Sequence, residues 1–171
     1  HPGMKHVAPV RKELGVRTVF NFLGPLANPA QCKLALLGVP EPDLCPRFAE
    51  VLKLLGARAA MVVCGTGPGG AGSLLSPLPS REGVGGGGYL DEMSTFGPTT
   101  VARPTVGDIA VSQVDARNYG LPVPAPDALQ AADAKASARI IHNVLQGLRG
   151  PARDIVVLNA AAAALVAGKA A

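Results

Sequence analysis

The runs Lys33-Leu34-Ala35-Leu36-Leu37-Gly38-Val39 and Arg58-Ala59-Ala60-Met61-Val62-Val63-Cys64 decide the fold. Each is nearly continuous in apolar residues and the right length for one strand. Such runs, without polar alternation, mark strands buried on both faces of a sheet. Pro40 ends the first run. Between the runs, Asp43 can cap a helix reaching Leu55, with an inward stripe of Phe48, Val51, Leu52 and Leu55 and with Gly56 closing it. Strand, helix and strand joined by short links form a βαβ unit, which implies parallel pairing and a right-handed crossover. The expected fold class is therefore α/β, a mostly parallel sheet with flanking helices.

Working outward toward the N-terminus, Met4 to Leu14 reads as a helix with Met4, Val7, Ala8 and Arg11 on one face, stopped by Gly15. Thr18 to Pro29 is apolar but broken by Gly24, Pro25 and Pro29, so it reads as a short turn of helix leading into an ordered loop. Beyond Cys64 the chain changes in kind. Gly65 to Gly88 is dense in glycine and proline with almost no apolar periodicity, the composition of a mobile loop.

Regular structure resumes near Tyr89. Thr99 to Pro104 and Asp108 to Val114 read as an antiparallel strand pair turning at Val106-Gly107, and Pro122 to Pro126 as a connector. Ala134 to Leu148 predicts an amphipathic helix with Ile140, Ile141, Val144, Leu145 and Leu148 inward. Pro151 opens a last helix whose Val156–Val166 stretch is apolar nearly all round, the pattern of a helix buried on every side. Asn159 is the polar interruption in it.

Composition bounds the function. The chain has 171 residues, 48% of them hydrophobic and 16% charged, enough for a core and too little charge for a disordered chain. Cys32, Cys45 and Cys64 are odd in number and form no C-x-x-C pair, which argues against a disulfide framework or zinc site and suits a reducing cytoplasm. Each reads as a small apolar filler. The net charge is +4, but the basic residues are scattered and only four Phe and two Tyr could stack on bases, so no nucleic-acid groove is signalled. The apolar stretch from Ile155 to Gly168 is too short to span a bilayer. A start at His1-Pro2-Gly3-Met4 and an end at Lys169-Ala170-Ala171 read like cuts through a longer protein.

A few residues could carry chemistry. Gly65-Thr66-Gly67-Pro68-Gly69-Gly70 formally matches G-x-G-x-x-G, but no helix follows and Pro68 removes a donor, so a phosphate-binding turn is not supported. Asp91-Glu92 is the best acidic pair, placed on a loop between stretches of sheet, where ligand sites of open α/β folds gather. Mg²⁺ is commonly held by one or two carboxylates together with substrate phosphates. Adjacent acids on a loop are also often simply solvated. Arg11 is a cation on an apolar face and could pair with a carboxylate in bidentate fashion, or serve as a structural ion pair or snorkelling side chain. His1, His6 and His142 show no metal-ligand spacing, and no Ser–His–Asp or Cys–His set can be assembled.

Longer motifs add a resemblance. His1-Pro2-Gly3-Met4-Lys5 through Arg11, then Arg17-Thr18-Val19-Phe20-Asn21-Phe22-Leu23-Gly24-Pro25-Leu26-Ala27-Asn28-Pro29, resemble the H-P-x-M-K…R and R-T-x-F-N-x-L-G-P-L-x-N-P blocks of anthranilate phosphoribosyltransferases. Leu90-Asp91-Glu92-Met93-Ser94 with Gly97 and Thr99, then Asn118-Tyr119-Gly120-Leu121 and Leu158-Asn159-Ala160-Ala161-Ala162, continue the match in order. Gly3 stands where the family usually has Ala.

The resemblance implies a fold similar to that of pyrimidine nucleoside phosphorylases. It implies transfer of a phosphoribosyl group from phosphoribosyl pyrophosphate to the amine of anthranilate, with Mg²⁺, in a cytoplasmic homodimer of the tryptophan pathway. By position, Arg11 would hold the anthranilate carboxylate, with Gly24, Pro25 and His1 at the same pocket, and Asp91 and Glu92 would carry Mg²⁺. It also implies that Thr66 to Gly88 is an insertion. The chain would be a partial α/β domain over residues 1–171. The family's helical domain, its G-T-G-G-D phosphate loop and its K-H-G-N segment would lie outside it, so that the chain alone would have little or no activity. A nucleoside phosphorylase-like enzyme, a DNA-binding protein on the same fold and a non-catalytic remnant are the alternatives. Arg11 and the Asn21-to-Pro29 block argue against the first of these.

Overall fold

The computed structural model describes residues 32–69 and 88–170, together with Glu13 and Leu26. The chain divides into two compact units, His1–Lys33 and Leu34–Ala171. In the first unit, Glu13 is helical and exposed and Leu26 is helical and half-buried. The remainder of the helix expected at Met4–Leu14, and of the Thr18–Pro29 segment, lies outside the described residues.

The second unit is an α/β fold with a mixed sheet and flanking helices. Strand β1 (Leu34–Gly38) leads through helix α1 (Leu44–Leu54) to β2 (Ala59–Thr66), and the two strands pair in parallel from Leu34↔Ala59 to Gly38↔Val63. This is the expected βαβ unit. The short β3 (Tyr89–Leu90) and then β4 (Thr99–Pro104) both pair antiparallel with β2, and β5 (Ile109–Val114) pairs antiparallel with β4. Gly65 is opposite Leu90 of β3 and opposite Thr99 of β4, so these strands lie on different sides of β2. β3 therefore continues the edge that β1 leaves at Val63. Gly107, with φ +89°, makes the turn between β4 and β5, as the sequence predicted.

The side-chain alternation of β2 feeds two layers. Met61 and Val63 join Val101, Met93, Ala116, Leu158 and Ala162 in one buried cluster, so this face is covered by α3 (Pro151–Val166). The other face lies under α1, where the Cys45 thiol reaches the Thr100 carbonyl at 3.8 Å. A short 3₁₀ turn, Ala116–Tyr119, follows β5 and is capped by Asp115, whose carboxylate accepts from the Arg117 N–H at 2.9 Å. Helix α2 (Ala134–Leu145) starts on a capping bond from the Ala136 N–H to Asp133.

Several expectations need correction. β1 is half-buried along its length because β2 is its one neighbour among the described strands. Asp43 has helical torsions and makes no side-chain capping bond. The buried stripe of α1 is Cys45, Ala49 and Leu52, with Phe48 half-buried and Val51 and Leu55 exposed. Small Cys45 and Ala49 let the helix axis approach the sheet closely, which turns the larger Val51 and Leu55 outward. Gly56 closes the helix as expected: with φ 77°, it donates to the Lys53 carbonyl while Ala57 donates to Leu52. Helix α2 buries no residue, and Ile141, Leu145 and Leu148 of its supposedly inward stripe are exposed. Helix α3 buries Ile155, Leu158 and Ala162 and exposes Val156, Val157 and Leu165, so it is covered on one side. Cys32 is exposed, unlike the buried Cys45 and Cys64. The sheet also reaches into the glycine-rich stretch. Thr66 is a buried strand residue, and the Gly67 N–H donates to the buried Gly88 carbonyl at 2.9 Å.

Candidate functional site

Asp91 and Glu92 fall between β3 and β4, on a loop laid across the carboxyl ends of the parallel pair. Glycines make that placement possible. A Cβ on Gly38, the last residue of β1, would stand 1.5 Å from the Asp91 carbonyl oxygen. One on Gly65 of β2 would stand 2.5 Å from the Glu92 carbonyl oxygen and 2.6 Å from Ser94 Cβ. The backbone of both acidic residues thus rests where a side chain would otherwise be.

Hydrogen bonds then fix the loop. The Ser94 N–H donates to Thr99 Oγ1 at 3.0 Å, and the Ser94 hydroxyl donates to the Thr66 carbonyl. The same hydroxyl accepts from the Phe96 N–H at 2.9 Å. Thr66 answers with its own N–H and hydroxyl, which both donate to the Pro98 carbonyl, at 3.1 and 2.6 Å. Asn159 of α3 accepts from the Met93 N–H and donates to the Met93 carbonyl, both at 2.9 Å. Thr66, Ser94, Thr95 and Thr99 are all buried, and Thr95 Oγ1 has no hydrogen-bond partner among the described residues.

Asp91 and Glu92 are exposed on this rigid seat. Even so, protein around the Glu92 carboxyl removes part of its hydration, and with the negative charge of Asp91 beside it this pushes the Glu92 pKa up. Two hard oxygen donors that repel one another suit a divalent cation, which relieves the repulsion. Among the described residues no group of three or more His, Cys, Asp or Glu side chains could hold a metal. Mg²⁺ bound mainly through substrate phosphates fits that donor set. Cys64 is close enough to feel Asp91, but burial comes first in pushing its thiol up to about 12, and Cys45, raised to about 11, is likewise buried. Neither is a nucleophile at neutral pH.

Of the sequence-predicted site residues, Asp91 and Glu92 are brought together on one seat, while His1, Arg11, Gly24 and Pro25 lie outside the described residues. Gly38 carries no site role in the sequence, Gly65 and Thr66 stand there only in a G-x-G-x-x-G match without a following helix, and Ser94 only within the L-D-E-M-S motif. A glycine at the carboxyl end of an otherwise apolar strand was the available signal for Gly38 and Gly65.

These features define an α/β protein with a carboxylate-bearing loop at the carboxyl ends of its parallel strands, the position where open α/β sheets bind ligands. The family model described as "Glycosyl transferase family, a/b domain" matches residues 1–76 and 80–171, and the chain belongs to that family. It is 44% identical over 171 residues to the anthranilate phosphoribosyltransferase of Rubrobacter xylanophilus, covering 99% of this chain and 44% of that one. It is similar to the crystal structure of anthranilate phosphoribosyltransferase from Thermus thermophilus, with TM-score 0.75 and 36% identity over 99% of this chain and 44% of that one. A variant of the Saccharomyces cerevisiae anthranilate phosphoribosyltransferase with Mg bound gives TM-score 0.72 and 28% identity, covering 98% of this chain and 44% of that one. The chain thus spans under half the length of the relatives it matches. No helix among the described residues is long and apolar enough to cross a membrane.

Proposed function

We propose that this chain is part of an enzyme that transfers a phosphoribosyl group from phosphoribosyl pyrophosphate to anthranilate, in tryptophan biosynthesis. The observation that carries the reading is the seating of Asp91 and Glu92 on Gly38 and Gly65, at the carboxyl ends of the parallel strands. The names of the relatives support the substrates, and the Mg bound in the yeast variant supports the metal. The enzyme is proposed to be cytoplasmic and homodimeric, with the Thr66–Gly88 stretch an insertion. Residues 77–79, which the family model leaves unmatched, fall within that stretch.

The chemistry needs no protein nucleophile, because the amine of anthranilate attacks C1 of the ribose and pyrophosphate leaves. The protein has to orient the acceptor and neutralise the leaving group. Asp91 and Glu92 would hold Mg²⁺ through their carboxylate oxygens, and the bound metal supplies positive charge at the departing pyrophosphate. Arg11 is assigned to the acceptor's carboxylate, which its planar fork can grip with two parallel hydrogen bonds and so aim the neighbouring amine. Gly24, Pro25 and His1 are assigned to the same acceptor pocket.

Steady-state kinetics of the enzyme containing this chain test the reading. A charge-assisted pair of this kind contributes on the order of 1.5–3 kcal/mol. Arg11→Lys keeps the charge and loses the fork, so the Michaelis constant for anthranilate is expected to rise roughly ten- to hundredfold. The constant for phosphoribosyl pyrophosphate is expected to stay near its wild-type value. If both constants rise together, or neither moves, Arg11 does not hold the acceptor.

A further inference from the structure

Helix α3 carries an apolar run that Asn159 interrupts, and its side chain is not spent on solvent. Nδ2 donates to the Met93 carbonyl at 2.9 Å and to the Ile155 carbonyl one turn back at 3.0 Å, while Oδ1 accepts from the Met93 N–H at 2.9 Å. Both amide hydrogens are used, and the bond to Ile155 tethers the side chain so that its amide already faces Met93. We infer that Asn159 is the positioning residue for the Asp91–Glu92 pair, holding from the opposite side the peptide plane that orients Glu92. The inference rests on the proposed role of that pair in binding Mg²⁺.

The geometry is specific. The Met93 N–H belongs to the same peptide plane as the Glu92 carbonyl. That carbonyl oxygen lies over Gly65, and the N–H is gripped by Asn159. That plane cannot rotate when held at both edges, and the plane before Glu92 is held too, with the Asp91 carbonyl seated over Gly38, so the two together fix the backbone torsions of Glu92 and the direction of its Cα–Cβ bond. One residue further on, Ser94 is tied to Thr66 and Thr99. Packing alone would not give this. Met93 is buried in the same cluster as Leu158, which holds its side chain but leaves its backbone free to tilt. A carboxamide is the short side chain that offers a donor and an acceptor at one spacing. Aspartate has the same shape, but once ionised it only accepts, and it would set a carboxylate oxygen against the Met93 carbonyl.

The test compares, in the enzyme that contains this chain, the wild type, Asn159→Asp, Asn159→Ala, and the double variant Asp91→Asn with Glu92→Gln. The probe is Mn²⁺ with inorganic pyrophosphate, followed by the electron paramagnetic resonance of free Mn²⁺, and amide hydrogen exchange is read at Met93 and in β2. Both Asn159 variants are expected to bind the probe roughly tenfold more weakly, the usual scale for removing a residue that orients a metal ligand. Met93 exchange should quicken while Val62 and Val63 stay protected, which separates lost positioning from unfolding. The double variant should take up no probe. Wild-type affinity in the Asn159 variants, with uptake still lost in the double variant, would overturn the positioning role and leave the metal assignment standing. No uptake by the wild type, or uptake that survives the double variant, overturns the metal assignment and the inference with it. Should both Asn159 variants unfold, the wild type still decides: a Met93 amide exchanging at the rate of an open loop overturns the clamp, and one as protected as β2 supports it.

Discussion

Gly38 and Gly65 have ordinary torsions, and neither is needed for a turn; what they provide is empty space under a backbone. At Gly38 the space is filled by the Asp91 carbonyl, which a methyl group would meet at 1.5 Å, and because the obstacle is backbone, something larger than a side chain must move. Gly38→Ala is therefore expected to lift the acidic loop, lower the melting midpoint and weaken uptake of Mg²⁺ with pyrophosphate; differential scanning calorimetry and titration calorimetry read the two effects. An unchanged midpoint would mean that the loop does not rest on the strand end. The Asp115–Arg117 pair gives a pH prediction with a definite sign. Three hydrogen bonds from the Arg117 guanidinium, together with its backbone N–H, pull the Asp115 pKa from 3.8 to about 2. A carboxylate whose pKa is lowered on folding stabilises the fold above its unfolded value and loses that contribution as pH falls through the folded one. The stability advantage of wild type over Asp115→Asn should be constant near neutrality and vanish as pH falls from about 4 to about 2, as followed by thermal melts. At this scale the sequence was partly legible. The adjacent acids and Asn159 were visible as letters, but the seat beneath the acids depends on strands distant in sequence lying edge to edge, which no local pattern records.

Helices show where hydrophobic periodicity informs and where it stops. Leu158 and Ala162 of α3 pack against Met61 and Val63 of β2, whereas the stripe of α2, just as regular in sequence, leaves Leu145 80% exposed. Periodicity states that a face is apolar and says nothing of what it touches. Nothing in the sequence therefore separates the exposed α2 face from an inward one, and in α1 the pattern points to Val51 and Leu55 although the contact face is Cys45, Ala49 and Leu52. The strands were easier to read. An eight-residue buried β2 has nowhere to sit but a sheet centre, and the β4–β5 hairpin is set by its own turn. Truncating Leu158, which is 8% exposed, leaves a cavity and is expected to cost about 2–5 kcal/mol. Truncating Leu145 to alanine is expected to change stability by no more than about 0.5 kcal/mol. Urea denaturation of the two variants checks the contrast, and a similar cost at both sites would mean that the α2 face is covered in solution.

At the scale of the whole molecule, the sheet, the loop 91–98 and α3 form one hydrogen-bonded assembly. Composition marks the glycine-rich stretch but sets its borders too wide, since Gly65 and Thr66 belong to β2 and the Gly67 N–H bonds to the Gly88 carbonyl beside the sheet. Replacing residues 70–86 by a tight two-residue turn, with Gly67 and Gly88 kept, is expected to move the melting midpoint by only a few degrees. Loop-closure entropy changes by about 0.6 kcal/mol per doubling of length, and in this case shortening favours the fold. A loss much larger than that would show that the deleted residues pack on the domain.

The single bond from the Gly67 N–H to the Gly88 carbonyl has a wider consequence. Together with the β2–β3 pairing it holds the two ends of the stretch side by side, so a sequence of any length whose own ends are neighbours is expected to fit between them. The chain thereby carries a natural grafting port. A whole foreign domain with neighbouring termini, a fluorescent reporter for instance, could be spliced there without altering the strand register that seats the acidic pair.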